Sequence, residues 1–291
     1  MSVVQDLIRL LELEQIEQDI YRGMNRDVGT GRVFGGQVFA QALVAARRTV
    51  GEGREAHSVH GYFLREGDTS APIVYFVDRP RDGRSFTSRR VTAIQHGNAI
   101  FHLSASFHIA EPGLDHQFAI PEVPPPEECP EELEIIRGNA DKIPESLRHV
   151  LTQDRPLEMR LIRPNNPFRP PEAVPVADAH RMVWFRLRER IPDAQMLHHA
   201  VLAYASDYGF LPTALQPHGV WWRDPRLFLA SLDHTLWLHR PFRADEWLLY
   251  VSDTPSAFGA RGFVRGQVFT RSGELVASAA QEGLTRLVEK K

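Results

Sequence analysis

Few side chains in this chain have the chemistry and spacing to act. The single cysteine, Cys129, lies in the loop-like run Pro126-Glu-Glu-Cys-Pro130. Neighbouring acids raise a thiol pKa, so a solvated, poorly nucleophilic thiol is expected. One cysteine permits no intrachain disulfide, which suits a reducing compartment. Gly-x-Ser-x-Gly is absent, so no strand-turn-helix serine nucleophile is expected. His198 and His199 are adjacent in a helical stretch and cannot share a face for a metal. His57 and His60 lie three apart in a strand-like stretch, which places them on opposite faces. With no Cys-x-x-Cys either, neither a metal nor a cofactor is expected. His60 has the pKa range of a general base, but a structural histidine at a contact between two folded units is the favoured reading. Gly29-Thr-Gly31-Arg-Val-Phe34 starts like a dinucleotide loop, yet Phe34 fills the third glycine position and no strand pattern precedes it. Arginines at 79, 81, 84, 89, 90, 261 and 265 suit bidentate phosphate contacts or, equally, solvated strand ends.

The bulk composition narrows the classes. The 291 residues are 43% hydrophobic and 24% charged, an ordinary globular mix. A net charge of −3 and pI near 6.5 leave no broad nucleic-acid-binding face. The longest apolar run, Ala200 to Ala205, is far below the about 20 residues of a membrane helix. Asp6, Arg9, Glu12 and Glu14 interrupt the N-terminal leucines, unlike a signal peptide, and Leu7, Leu10 and Leu11 fit an amphipathic helix. The terminal Glu-Lys-Lys is not a Ser-Lys-Leu address. A cytoplasmic protein is expected.

The elements that must position any site follow from proline and periodicity. Thirteen of the 21 prolines fall between Pro112 and Pro175, including Pro124-Pro125-Pro126 and Pro170-Pro171. Such a stretch supplies no long helix or central strand. It reads as a connector over 113–175, with a short helix near Glu131 to Ile136, between units at 1–112 and 176–291. Val38, Ala42, Leu43, Ala46 and Val50 recur at helical spacing in the first unit, and Ala200 to Ala205 does the same in the second. Phe101, Leu103, Ala105 and Phe107 alternate with His102, Ser104, Ser106 and His108, a strand buried on one face. His60 and His234, Arg84 and Arg261, and Gly97 and Gly273 start similar motifs at offsets of 174, 177 and 176, which suggests a duplicated unit. A helix followed by antiparallel strands, made twice, is an α+β fold in which each helix covers an apolar sheet face.

On this framework the motifs become recognisable. Val33-Phe-Gly-Gly-Gln-Val and His57-Ser-Val-His-Gly-Tyr-Phe-Leu-Arg-Glu-Gly-Asp resemble the first half of the acyl-CoA thioesterase II family. Tyr204-Ala-Ser-Asp-Tyr-Gly-Phe-Leu-Pro, Ser231-Leu-Asp-His-Thr-Leu-Trp-Leu-His-Arg-Pro-Phe and Ala277-Ser-Ala-Ala-Gln-Glu-Gly resemble its second half. The resemblance implies a double hotdog fold and metal-free hydrolysis of acyl-CoA to a fatty acid and CoA. It also implies a catalytic acid at Asp207, a hydroxyl at Ser231, where the family has Thr or Ser, and an amide at Gln281. Read alone, these three are a helix-end acid, a strand-end serine and an ordinary strand residue. In the implied roles, Asp207 takes a proton from water as general base while Ser231 and Gln281 aim that water. Amides near Gly35-Gly36 are candidates for binding the oxyanion. Phe34, Leu64, Trp237 and Phe258 are candidates for an acyl slot. An enoyl-CoA hydratase using His60, or a non-catalytic acyl-CoA binder, are the alternatives on this fold. Acyl-CoA is the expected partner, with neither nucleic acid nor membrane, and strand edges that need cover suggest a homo-oligomer, a dimer or tetramer.

Overall fold

The computed structural model describes residues 2–29, 31–143, 145–163 and 171–288. Thr30 of the glycine-rich stretch, Pro170 and the terminal Glu289, Lys290 and Lys291 lie outside the described residues, as do the readings placed on them. Helix α1 (Val3–Leu11) and the strands β1 (Glu14–Glu17) and β2 (Ile20–Gly23) precede a long helix, α2 (Gly35–Arg47). Strands β3 (Arg54–Phe63), β4 (Ile73–Asp82), β5 (Phe86–Gln95) and β6 (Asn98–Ile109) complete the first half. The middle segment carries α3 (Glu132–Arg137), α4 (Glu145–Thr152) and β7 (Leu157–Leu161). The second half holds β8 (His180–Leu187), α5 (Gln195–Ser206), β9 (Leu227–Ser231), β10 (Asp233–Leu238), β11 (Leu248–Phe258), β12 (Arg261–Thr270) and β13 (Leu275–Leu287).

All the strands join one antiparallel sheet, whose main path runs β1-β2-β4-β5-β6-β3-β10-β13-β12-β11-β8-β7, with β9 on β13. The order β4-β5-β6-β3 on one side mirrors β11-β12-β13-β10 on the other, so two equivalent units meet where β3 pairs β10, from Asp233↔Tyr62 to Trp237↔Ser58. This is a double hotdog. Each unit wraps its sheet around one helix. Gly36 to Ala46 of α2 and His198 to Ser206 of α5 are buried all round, as a helix needs when the sheet lies on one side and its partner helix on the other. The polar Gln41 survives inside because all its groups are used: Nε2 donates to the carbonyls of Leu10 and Met24, and Oε1 accepts from Tyr75.

The alternation expected of β6 holds: Phe101, Leu103, Ala105 and Phe107 are buried against the helices, and the serines and histidines between them face away. The offset of His60 and His234 fails in one detail. His60 is exposed on the outer sheet face opposite Thr235, while His234 is buried on the inner face opposite Gly61. A one-residue difference in phase exchanges the two faces. His57 and His60 are also not on opposite faces. A bulge between Ala56 and Ser58 admits an extra residue. His57 then reaches Ser106 (2.8 Å), on the same face as His60.

The proline-rich segment contains the expected short helix, α3, and beyond it β7 extends the second half's sheet at its edge, where a proline neighbour such as Pro156 is tolerated. The outer face of the second half is apolar (Trp184, Trp247, Leu249, Phe269, Leu275), and Ile120, Val123 and Cys129 cover it. Trp184 Nε1 donates to the Pro124 carbonyl (2.9 Å). Cys129 is therefore buried rather than solvated; burial and the nearby Glu128 push its thiol pKa up. Among the described residues no helix is long and apolar enough to cross a membrane, and no three His, Cys, Asp or Glu residues group as metal ligands.

Candidate active site

Helices α2 and α5 pack against each other so that the end of α5 meets the start of α2. Asp207 is the C-cap of α5, and Gly209, at φ +67°, turns the chain out of the helix. Phe34, the N-cap of α2, offers no side-chain acceptor to the first turn. The Asp207 carboxylate fills that role from the other helix, accepting the Gly36 N–H. A β-carbon at Gly35 would stand 2.7 Å from Asp207 Oδ2, and one at Gly36 would strike the Tyr204 carbonyl, so the approach of the helices requires both glycines.

Two strands supply the rest. Gln281 lies on the inner face of β13, fully buried, and Ser231 ends β9 opposite Gly283 of β13. The Gln281 Nε2 group donates to Asp207 Oδ1 (2.7 Å) and to Ser231 Oγ (2.9 Å). Both of its protons are thereby used. Gln281 Oε1 is buried without a hydrogen-bond partner. Three residues separated by 24 and 50 positions thus share one hydrogen-bonded cluster. Burial raises the Asp207 pKa from 3.8 to about 6, against the lowering effects of Gln281 and the Gly36 amide. The carboxylate is thereby poised to take a proton near neutral pH.

The comparisons with known proteins agree with this architecture. A family profile described as "Acyl-CoA thioesterase" matches residues 150–284, and one described as "Acyl-CoA thioesterase N-terminal domain" matches residues 25–108. The chain is 40% identical over 288 residues to acyl-CoA thioesterase 2 of Haemophilus influenzae, covering 99% of both chains. The chain belongs to the acyl-CoA thioesterase II family. It is also 41% identical to human acyl-coenzyme A thioesterase 8, over 96% of this chain and 88% of that protein. A solved acyl-CoA thioesterase II from Mycobacterium marinum superposes with a TM-score of 0.79 at 42% identity, over 96% of this chain and 97% of that one.

Within this thioesterase framework the other candidates sort by sheet face. His60 lies outside, edge-on to Trp237 (ring centroids 5.3 Å apart), with the sheet between it and the Asp207 cluster. That position does not fit a base for this cluster. Trp237 shares the outer face, and Phe258, 85% exposed at the β11–β12 turn, is no lining for an enclosed slot. Leu64 is exposed at the end of β3. Phe34 does flank the site, edge-on to Tyr204 (5.1 Å) and Tyr208 (6.2 Å). The residue missed is Phe63, whose ring would stand 3.0 Å from a β-carbon at Gly35; only its position at the end of β3, beside the joint between halves, marks it. The Gly36 amide, a candidate oxyanion donor, is committed to Asp207 instead. Among the arginines, Arg89 is buried and bonded to Thr49 and Asp82, Arg79 pairs with Asp19, Arg261 with Glu282 and Arg265 with Asp253. Those four are structural or surface ion pairs. Two cavities, of about 310 and 430 Å³, lie away from the cluster: one on the outer face beside His60, Arg90 and Ser104, the other between Ser2, Glu131 and Arg137.

The duplication carries a second such helix end, and it is unlike the first. There α2 finishes in Arg47 and Arg48 rather than an acid, and Arg48 is committed to the Leu13 carbonyl and the Tyr21 ring.

Proposed function

We propose that this chain hydrolyses fatty acyl-CoA to a free fatty acid and CoA, with Asp207 as general base and Ser231 and Gln281 holding the attacking water. The observation that carries the reading is the convergence of all three side chains on one buried cluster at the start of α2. The water oxygen attacks the thioester carbonyl carbon while its proton passes to the Asp207 carboxylate. Collapse of the resulting oxyanion breaks the C–S bond, and the CoA thiolate leaves with a proton returned by Asp207.

The hydrogen-bond directions suit these roles. Gln281 Nε2 donates to Ser231 Oγ, so the serine's own proton remains free to donate. The unpartnered Gln281 Oε1 is an acceptor for a water proton. Fixing the water from these sides replaces its random orientation with one line of attack. The raised Asp207 pKa makes the carboxylate a stronger base than a surface aspartate while leaving it largely ionised at neutral pH.

The test is release of free thiol from palmitoyl-CoA. The parent protein turns over, and Asp207→Ala abolishes thiol release while still binding CoA. Full activity in that variant removes Asp207 as the base. Loss of enoyl absorbance without thiol release would assign a hydratase instead, and tight binding with no turnover in the parent would assign a binding protein.

A further inference from the structure

A fully buried histidine, His234, stands beside the helix end that carries Asp207. His234 lies on β10, the strand that joins the two halves, and its ring is fully buried between Phe39 of α2 and Phe210 (centroids 4.8 and 5.8 Å, both edge-on). Its Nε2 is 2.8 Å from the hydroxyl of Ser206, the last residue of α5 and the neighbour of Asp207 in sequence. Ser206 Oγ also donates to the Ala203 carbonyl (3.0 Å), which uses the serine's only proton. The proton between Ser206 and His234 therefore comes from the ring: Nε2 carries hydrogen and Nδ1 is bare. The buried Nδ1 has no partner, and a bare lone pair there costs less than an orphaned N–H would. Tyr250 Oη donates to the Ser206 carbonyl (3.1 Å), one of the acceptors that the end of a helix leaves unfilled.

We propose that His234 is a positioning residue for hydrolysis: in its neutral Nε2–H form it fixes the last turn of α5 through Ser206, and so fixes where the Asp207 carboxylate points. The inference rests on Asp207 being the base. The geometry gives the reason such a device is needed. Asp207 sits at a helix end, where the backbone loosens, yet it must meet the Gly36 amide, Gln281 and a water at once. Ser206 is gripped from β10 by His234 and from β11 by Tyr250, so the sheet that carries Gln281 also sets the helix that carries Asp207. No ionisation of His234 is involved. Burial lowers its pKa to about 3, and the ring stays neutral throughout the working range.

The experiment compares steady-state palmitoyl-CoA hydrolysis in Ser206→Ala, His234→Leu, His234→Gln and the Ser206→Ala/His234→Leu double variant, with Asp207→Asn alongside. Misplacing a reacting group by about 1 Å costs on the order of 100-fold. We therefore expect Ser206→Ala and His234→Leu each to lower kcat by about that factor with KM within about twofold. The double variant should be no worse than either single one, since both remove the same bond. Gln presents a donor near the place of Nε2, so His234→Gln should regain most of the lost kcat. Parental kcat in Ser206→Ala, additive losses in the double variant, a rise in KM in place of a fall in kcat, or His234→Gln as slow as His234→Leu would each overturn the inference. Should His234→Leu not fold, Ser206→Ala, which deletes a single oxygen, decides alone. An inactive Asp207→Asn beside a fully active Ser206→Ala defeats only this inference; a fully active Asp207→Asn defeats the proposed base itself.

Discussion

Replacing Asp207 by Asn separates what the carboxylate does for turnover from what it does to stability. Its pKa rises from 3.8 to about 6 on folding, because burial opposes the charge more than Gln281 and the Gly36 amide support it. Each pKa unit is worth about 1.4 kcal/mol, so a shift of about two units is roughly 3 kcal/mol. Between the two pKa values the folded state holds the proton and the unfolded state has released it, so stability from this group is present at low pH and is lost as pH rises through about 6. Asn does not titrate. The stability of Asp207→Asn relative to the parent should therefore improve by about 2–3 kcal/mol between acid and slightly alkaline pH, read from urea unfolding at about pH 4 and about pH 8. Over the same range thiol release should fall by about 10²–10⁴-fold, the usual contribution of a general base. In the parent, kcat/KM should rise with pH through about 6 and level off, with the base about nine-tenths ionised at about pH 7. A relative stability that does not change with pH, or a rate profile with no inflection between about pH 5 and 7, would refute this account of the buried carboxylate.

Other perturbations give independent readings. Gln281→Leu removes the donor to both Asp207 and Ser231; activity should fall by about 100-fold and, in the residual rate, the acid inflection should move up, seen in the pH profile of thiol release. Gly36→Ala drives a methyl group into the backbone carbonyl of Tyr204, which cannot swing aside as a flexible side chain would, and should lower stability by about 1–3 kcal/mol in denaturant unfolding as well as turnover. Cys129→Ala should leave kcat unchanged in the same assay, since Cys129 belongs to the proline-rich segment packed against Trp184 on the outer sheet face and is not at the cluster.

The sequence by itself determined the local elements and the kinds of residue available. The periods of α2 and β6, the repeat of helix and strands, and the prolines of the middle segment each follow from steric and burial rules that act over a few residues. Motifs carried the resemblance, and with it Asp207, Ser231 and Gln281, although nothing in their immediate surroundings distinguishes a helix-end acid from a base. What stayed out of reach depends on long-range packing. A single bulge in β3 turned His57 to the face of His60, and one residue of phase put His60 outside the sheet and His234 within it. Alternation along a strand cannot register either event. The covering of the second sheet face by a proline-rich strap, which buries Cys129, is equally invisible in local composition. Only the tertiary structure brought the end of one helix against the start of another, and that contact, by burying Asp207, is what moves its pKa towards neutrality against the opposing pull of the Gly36 amide. Charge and desolvation are properties of a place, and the chain acquires that place only when both halves are packed together.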